Sequence, residues 1–388
     1  MFKRDKDPIV DVKKGLMIQD VRRKAIDDAP NSPLPKSYKV NELAHDLHPG
    51  HIKATLIKRE EIGLNSYLLT FRSLSENERF PYFEAGQFIS VSAKVNESIV
   101  TRPYSIFSSP MEALKGILSI AVGRDGFFSS YLIDIMELGT KVIIGDPLGD
   151  FHYNSLRDKK TIFGIAGGTG VTPFISMIKA IEEGSEDFNL TLLYGVRTKK
   201  HLLYDFRKLK NPKIKVIVVF SDERVPGYEC GFITKELISK YIPKDSSIFM
   251  CGPDKMYSFV SNELSQLGID KNLVRMEHNS IKSIDMENPH EFELKVHLRD
   301  EIYTIKAKEN ETILTAFERS GLCVPSKCRS GICGLCHTRL ISGSYFVDSK
   351  NDHVRLADKK FRYIHPCASY PRSDMELDVP PLDILKEL

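Results

Sequence analysis

The stretch CRSGICGLC, Cys328 to Cys336, sets three cysteines in a C-x4-C-x2-C arrangement, and a fourth, Cys367, follows after thirty further residues. Four thiolates at this spacing suit a [2Fe-2S] cluster, because two ferric ions bridged by sulfide are soft and electron-demanding. Gly331 and Gly334 let such a loop wrap closely around an inorganic core. They also turn backbone N–H groups toward the sulfurs, where they stabilise the charge added on reduction. Zinc is the competing reading, although it more usually shows paired C-x2-C elements around one tetrahedral ion. Cys323 is left over, since using it in place of any of the four breaks the spacing, and we read it as a buried thiol near the loop. Cys230, beside Gly231, reads as structural.

These cysteines also stand out in the composition. Of seven in 388 residues, five fall in the last 66, an odd total in a chain long enough to bury its cores without disulfide staples. The length fits two or three domains. The 55 basic and 52 acidic residues leave a net charge of +3, which argues against a nucleic-acid binder built on counterion release and against a polybasic membrane anchor. The first residues, MFKRDKDPIVDVKK, hold no apolar run for a signal peptide, and the longest apolar stretch, IKVIVVF from Ile214 to Phe220, is less than half a bilayer span. We therefore expect a cytoplasmic, soluble chain with no membrane insertion and no nucleic-acid partner.

Working back from the cysteines, the chain changes rhythm three times. Residues 1–50 mix charges with Pro8, Pro30, Pro33, Pro35 and Pro49, and DAPNSPLPKS cannot continue a helix because proline lacks the donor and restricts its predecessor. This reads as an N-terminal extension with a short helix over Gly15–Ala29, in which Leu16, Val21 and Ile26 share a stripe. Over 51–157 the runs HIKATLIKRE, SYLLTFRSL, QFISVSAKV, GILSIAVG and TKVIIGD predict an antiparallel β-barrel, interrupted by one helix at Phe127–Met136. Over 158–276 the continuous apolar strands TIFGIAG, LTLLYGV, KIKVIVVF and SSIFMCG predict a parallel sheet covered on both faces. Its helices are expected at Thr172–Glu183, Leu202–Leu209, Thr234–Lys240 and Pro253–Leu267. Residues 277–289 read as a polar linker. Residues 290–388 open with a hairpin across Asp300 and the helix ETILTAFERSG, stopped by Gly321.

CRSGICGLC together with PCASYPRSDMELDVP resembles a plant-type ferredoxin domain in the form found at the C-terminus of flavin reductases. Two barrel segments extend the resemblance. RPYS, Arg102 to Ser105, follows a predicted strand, and GFFS, Gly126 to Ser129, opens a predicted helix. An arginine can pair with a flavin phosphate, a tyrosine can stack on the ring, and a helix start offers free N–H groups to a pyrophosphate. Taken alone, RPYS is an ordinary strand end. Together the segments resemble the flavin-binding motifs of the ferredoxin-NADP reductase superfamily. The resemblance implies that Arg102, Pro103, Tyr104 and Ser105 hold the phosphate, ring and N5 region. It implies further that Val122, Gly126 and Ser129 give backbone and phosphate contacts, and that Phe151 lies near an adenine. The glycine-serine segment favours FAD over FMN.

GIAGGTGVTPF runs from a strand into a helix, with Gly167, Gly168, Thr169 and Gly170 forming the turn and Thr172 and Pro173 opening the helix, whose free N–H groups can face a pyrophosphate. A glycine-rich turn of this kind can equally be a packing turn. With YGVR ending at Arg197 and CGP at Cys251, Gly252 and Pro253, it resembles the NAD(P)-binding domain of the same superfamily. There the cysteine sits near the nicotinamide and positions the hydride donor; a buried strand-end cysteine is the plain alternative. Ser221 is followed by Asp222 and Glu223, whose charge repels a 2′-phosphate while either accepts from a ribose hydroxyl. This favours NADH, with Arg224 as a counter-argument. Glu277 lies near the family's glutamate beside the flavin, or is a solvated linker residue.

The resemblance covers all but the first fifty residues. It implies a multidomain chain: an antiparallel flavin-binding β-barrel, an α/β nucleotide-binding domain with a parallel sheet, and an α+β ferredoxin-like (β-grasp) [2Fe-2S] domain. Tyr104, Ser105 and Cys251 are the expected catalytic residues, and Cys328, Cys333, Cys336 and Cys367 the expected iron ligands. The implied activity moves electrons from NADH through FAD and the cluster to a separate acceptor protein, an oxygenase or hydroxylase. The alternatives are an anaerobic metalloprotein of hybrid-cluster or corrinoid-activation type as acceptor, or a non-enzymatic redox sensor or electron-transfer subunit. The 15 basic and 15 acidic residues of 291–388 give no steering sign toward any of them.

Overall fold

The computed structural model describes residues 8–29, 38–47, 49–96, 98–277, 281 and 283–381. The chain divides into two compact units, residues 1–46 and 47–388. In the first, α1 (Pro8–Asp27) is a 20-residue helix, followed by α2 (Lys39–Leu47). The helix expected over Gly15–Ala29 thus begins at Pro8, a position where a helix tolerates a missing N–H. Val21 and Ile26 of the expected stripe are exposed.

The second unit opens with six antiparallel strands: β1 (His51–Gly63), β2 (Ser66–Ser73), β3 (Phe88–Val95), β4 (Ser98–Ser105), β5 (Ile117–Gly123) and β6 (Lys141–Gly145), in the order β4-β3-β6-β1-β2-β5. A bridge from Ile106, just past β4, to Ile120 in β5 closes the sheet on itself. Alternation drives the closure: in β1, Ile52, Ala54 and Leu56 point inward while Lys53 is exposed. Between β4 and β5, α3 (Pro110–Leu114) starts on a capping box of Ser109 and Glu112. The helix expected at Phe127–Met136 is a single α-turn, α4 (Phe127–Ser130), running into a π-turn at Tyr131–Ile135, where the Met136 N–H reaches the Tyr131 carbonyl at 2.9 Å.

The next sheet is parallel, built from β7 (Thr161–Gly167), β8 (Asn189–Val196), β9 (Ile214–Phe220), β10 (Glu229–Cys230), β11 (Ser246–Cys251) and β12 (Val274–Met276), in the order β10-β9-β8-β7-β11-β12. Helix α5 (Thr172–Glu183) lies on one face over Ile162, Tyr194 and Phe249. On the other, α6 (Lys235–Tyr241) and α7 (Asp254–Gln266) cover Phe163, Ile165, Ile248 and Met250. Burial on both faces is why these strands read as unbroken apolar runs. The helix expected over Leu202–Leu209 is absent. One short 3-10 turn, Phe206–Lys208, stands within that span, capped by Asp205, whose carboxylate accepts the Arg207 N–H, and another, Lys199–His201, precedes it. The strand order reverses between β7 and β11, which leaves a crevice at their carboxyl ends.

The third sheet contains β13 (Glu291–Leu298), β14 (Glu301–Lys308), β15 (Thr338–Ser342), β17 (Tyr363–Ile364) and β19 (Met375–Val379), in the order β14-β13-β19-β15-β17, with a separate ribbon of β16 (Tyr345–Phe346) and β18 (Tyr370–Pro371). Antiparallel β13–β14 and parallel β13–β19 pairs make it mixed. Helix α8 (Ile313–Arg319) lays Ile313, Leu314 and Phe317 across Leu294, Val296 and Leu377, a β-grasp arrangement, and a short α9 (Leu356–Lys360) precedes β17. No helix among the described residues is long and apolar enough to cross a membrane.

Phe174 of α5 is fully buried, edge-on to Phe151 with ring centroids 5.5 Å apart. Phe174→Ala is expected to remove about 3–5 kcal/mol from the unfolding of the nucleotide domain, read from guanidinium denaturation. A wild-type midpoint would contradict this view of the core.

Candidate functional site

The glycine-rich turn and the end of β11 meet at the crevice. A side chain at Gly170 would place its first carbon 2.3 Å from the Cys251 carbonyl oxygen, so only glycine permits this approach. The Thr172 hydroxyl donates to the Thr169 carbonyl at 2.7 Å and ties the turn to the start of α5, where Pro173 sits in the first turn. Gly167 faces Met256 of α7, and Gly252 and Pro253 lead directly into that helix. One strand over, the ends of β8 and β9 bring Arg197, Ser221 and Asp222 together. The Ser221 hydroxyl donates to Asp222 Oδ1 at 2.6 Å, and Arg197 Nε lies 3.7 Å from Asp222 Oδ2. Glu223 is turned back onto the chain, accepting the Lys199 N–H at 2.9 Å, so Asp222 is the acidic group free of that backbone duty.

The barrel approaches the same crevice through the end of β4. There the Ser105 hydroxyl lies 3.0 and 3.1 Å from the two carboxylate oxygens of Glu277, and the Cys251 thiol donates to Glu277 Oε2 at 2.8 Å. Glu277 follows β12 directly, and its carbonyl accepts the Tyr257 hydroxyl at 2.8 Å; that hydroxyl in turn accepts the Gly252 N–H at 3.3 Å. As a whole residue Glu277 is partly accessible, with its carboxyl directed at Ser105 and Cys251. Burial pushes that carboxyl above the ordinary carboxylate range, against the opposing pull of the hydrogen bonds from Cys251 and Ser105. Burial, and then the neighbouring Glu277, hold the Cys251 thiol well above its usual value, so it stands as a neutral donor. Of the two roles weighed for Glu277, the structure places it beside Ser105 and Cys251. Tyr257, on α7, carries no mark in the sequence; the packing of α7 and β12 on one core brings its hydroxyl to the Glu277 carbonyl.

Tyr104 and Ser105 are partly accessible, and burial raises the Tyr104 hydroxyl. Arg102 lies over the rings of Phe127 and Phe128, 5.5 and 5.7 Å from their centroids, and donates to the Thr101 carbonyl at 2.8 Å and to Glu318 Oε1 at 3.0 Å. Gly126 has φ +111° with open space where a side chain would begin, Val122 is buried, and the Ser129 hydroxyl closes its own turn between the Asp125 N–H and the Gly126 carbonyl. A cation, an aromatic ring and a hydroxyl along one strand end, facing an open glycine turn, are a donor set that fits FAD. Phe151 departs from the expectation. It is buried between Phe174 and Phe249, at centroid distances of 5.5 and 5.1 Å, and serves the core of the nucleotide domain instead of offering its ring to an adenine.

In the cluster loop the thiols form two pairs. Cys336 and Cys367 lie 3.4 Å apart, sulfur to sulfur, and Cys328 is paired with Cys333. Hydrogen bonds from the Cys333 thiol and then from Ser330 pull the Cys328 thiol below its usual range, and the same pairing pushes Cys333 up. The N–H groups of Ser330 and Cys333 point at Cys328 Sγ from 3.5 and 3.4 Å. No three such ligating side chains among the described residues converge on a single-ion site. Two thiol pairs, one of them with two N–H donors on Cys328, fit two irons better than one tetrahedral zinc. Gly331 and Gly334 both have φ in the left-handed region, +79° and +72°. Cys323 is partly exposed where a buried thiol is expected, and Cys230 is exposed at the end of the edge strand β10.

Three family models match the chain: an oxidoreductase FAD-binding domain over residues 53–153, an oxidoreductase NAD-binding domain over 165–262 and a 2Fe-2S iron-sulfur cluster binding domain over 296–372. The glycine betaine monooxygenase reductase subunit of Chromohalobacter salexigens is 23% identical over 80% of this chain and 90% of its own length. NADH-cytochrome b5 reductase 1 of Dictyostelium discoideum is 33% identical over 48% of this chain and 68% of its own. The solved structure of a phthalate dioxygenase reductase superposes with a TM-score of 0.62 at 23% identity, over 86% of this chain and 98% of that one. With FAD, NAD and [2Fe-2S] domains in this order, the chain is an oxidoreductase and belongs to the ferredoxin-NADP reductase superfamily, among its flavin reductases with a C-terminal plant-type ferredoxin domain.

Proposed function

We propose that this chain is a cytoplasmic NADH-dependent reductase that passes electrons from NADH through FAD and a [2Fe-2S] cluster to a separate acceptor protein, the terminal component of an oxygenase or hydroxylase. The observation that carries the reading is the Glu277 carboxylate shared by Ser105 at the end of β4 and Cys251 at the end of β11. It sets the barrel and nucleotide domain in one register, so that groups held at the two strand ends meet face to face. When bound, FAD supplies the conversion between the electron pair of NADH and the single electrons a [2Fe-2S] cluster accepts.

The residues divide the remaining work. Arg102 holds the flavin phosphate, Tyr104 covers the ring, and Ser105 and Cys251 orient the reacting edges as neutral donors. Gly167–Gly170 and the start of α5 take the NADH pyrophosphate, while Asp222 accepts from a ribose hydroxyl. Cys328, Cys333, Cys336 and Cys367 bind the two irons. We place the modules at 51–157, 158–276 and 290–388. An oxygenase as acceptor is supported by the monooxygenase reductase subunit that the chain resembles over most of its length.

The purified chain is expected to reduce both ferricyanide and cytochrome c with NADH, and Cys333→Ala to lose cytochrome c reduction far more than ferricyanide reduction. Equal loss of both with the flavin retained would contradict a cluster downstream of the flavin. Glu277→Gln removes a charge-assisted hydrogen bond and is expected to lower NADH-ferricyanide turnover roughly tenfold or more. Because the folded Glu277 titrates higher than an unfolded glutamate, wild-type stability falls as pH rises through that interval. The Glu277→Gln variant should therefore gain on wild type in denaturation midpoint between acid and neutral pH; a pH-independent difference would refute the buried carboxylate. Asp222→Ser is expected to raise the NADPH-to-NADH ratio of kcat/KM about tenfold by removing one repulsive charge. An unchanged ratio would take Asp222 out of cofactor selection.

A further inference from the structure

Glu318 stands in α8 of the cluster domain with its side chain 6% exposed. Its Oε1 accepts from two guanidiniums: Arg102 of barrel strand β4 at 3.0 Å and Arg329, next to Cys328 in the cluster loop, at 2.7 Å. Its Oε2 is buried and takes no hydrogen bond among the described residues, so both arginines depend on the one oxygen. Arg329 has φ +54°, a conformation costly for a residue with a side chain, and it is held there from several sides. Its Nη2 reaches Thr315 of α8 at 3.3 Å, and its carbonyl accepts the Ile281 N–H at 2.9 Å. Nearby, Lys327 lies against Gly145 of β6, so the loop meets the barrel on both sides of Cys328.

The charge of Glu318 is what allows this arrangement. Two guanidiniums converging on one oxygen repel each other, and in a buried setting only a full negative charge between them offsets that repulsion. A neutral amide of the same shape would keep one partner and release the other.

We propose that Glu318 is a positioning residue for flavin-to-cluster electron transfer, tying the strand that holds the flavin phosphate to the loop that holds the cluster. The inference rests on the preceding reading of Arg102 and the four cysteines. With FAD and the cluster bound, each transfer would take one electron from the NADH-reduced flavin and reduce one ferric ion of the cluster to ferrous. Glu318 would act by holding β4 and the cluster loop together, whereas Ser105 and Cys251 make no contact with it.

The test uses the full-length protein loaded with FAD and cluster, as wild type and Glu318→Gln, mixed with NADH in an anaerobic stopped-flow instrument. NADH-ferricyanide turnover and flavin bleaching should stay within about twofold of wild type, and the cluster phase, normalised to the cluster content from electron paramagnetic resonance, should slow about tenfold or more. Amide hydrogen exchange should rise in Ser98–Ser105 and Ile313–Arg319 of the same samples. A normalised cluster phase at the wild-type rate, or slowing accounted for by lost cluster alone, would overturn the proposal. If Glu318→Gln fails to hold the cluster, Glu318→Asp decides: its shorter arm cannot span both guanidiniums, so its normalised cluster phase should also slow, and a wild-type rate would refute the bridge. Absence of NADH-driven flavin bleaching in the wild type would instead refute the function proposed above.

Discussion

The arrangement of this molecule turns on one carboxylate. Glu277 belongs to the segment that leaves the nucleotide sheet, yet it receives a hydroxyl from the barrel and a thiol from the strand beside the switch point. Burying a carboxylate is costly unless its oxygens are hydrogen-bonded, and here both are. The same cost makes the contact selective, because any displacement of β4 from β11 leaves a buried charge with fewer donors. Electron transfer from a nicotinamide requires its face to meet the flavin closely, and in the function we propose this contact is where the chain itself provides the alignment.

Everything around Glu277 keeps the strand ends from drifting. The aromatic core of Phe151, Phe174 and Phe249 fixes β7 and β11 from one side, and Met256 closes against Gly167 and Gly252 from the other. Asp158, fully enclosed, takes Arg275 at 2.8 Å and so anchors the short strand that delivers Glu277. Glu318 joins the same strand β4 to the cluster loop by the same chemistry, one buried carboxylate serving two modules. β4 is therefore the common element: its middle reaches the cluster domain through Arg102, and its end reaches the nucleotide domain through Ser105.

What could be read in the sequence was what is locally encoded. Four cysteines at ligand spacing identify a cluster loop because the metal demands thiolates within one short segment plus one return. Gly170 could be read because a close turn demands the absence of a side chain. Glu277 carries only its nearness to a family glutamate, with a solvated linker residue as the alternative, and Glu318 carries no mark. Each is a single glutamate in a polar context, and each acquires its role from the docking of a domain that lies far off in sequence. For Phe151 the family resemblance implies an adenine contact, whereas the packing of α5 and β11 encloses the ring as core. The Leu202–Leu209 segment carries helical composition, but only one short turn forms in it, Phe206–Lys208, capped by Asp205 through the Arg207 N–H.

The central claim, that electrons pass from NADH through FAD to the cluster along this chain, is tested most directly by one anaerobic mixing experiment on the wild-type protein with NADH carrying deuterium at the transferred position of nicotinamide C4. The account predicts that deuteration slows the bleaching of the flavin absorbance and leaves the intrinsic rate of the following cluster phase unchanged. Cluster reduction that precedes flavin reduction, or a flavin phase insensitive to the deuterium, would contradict it.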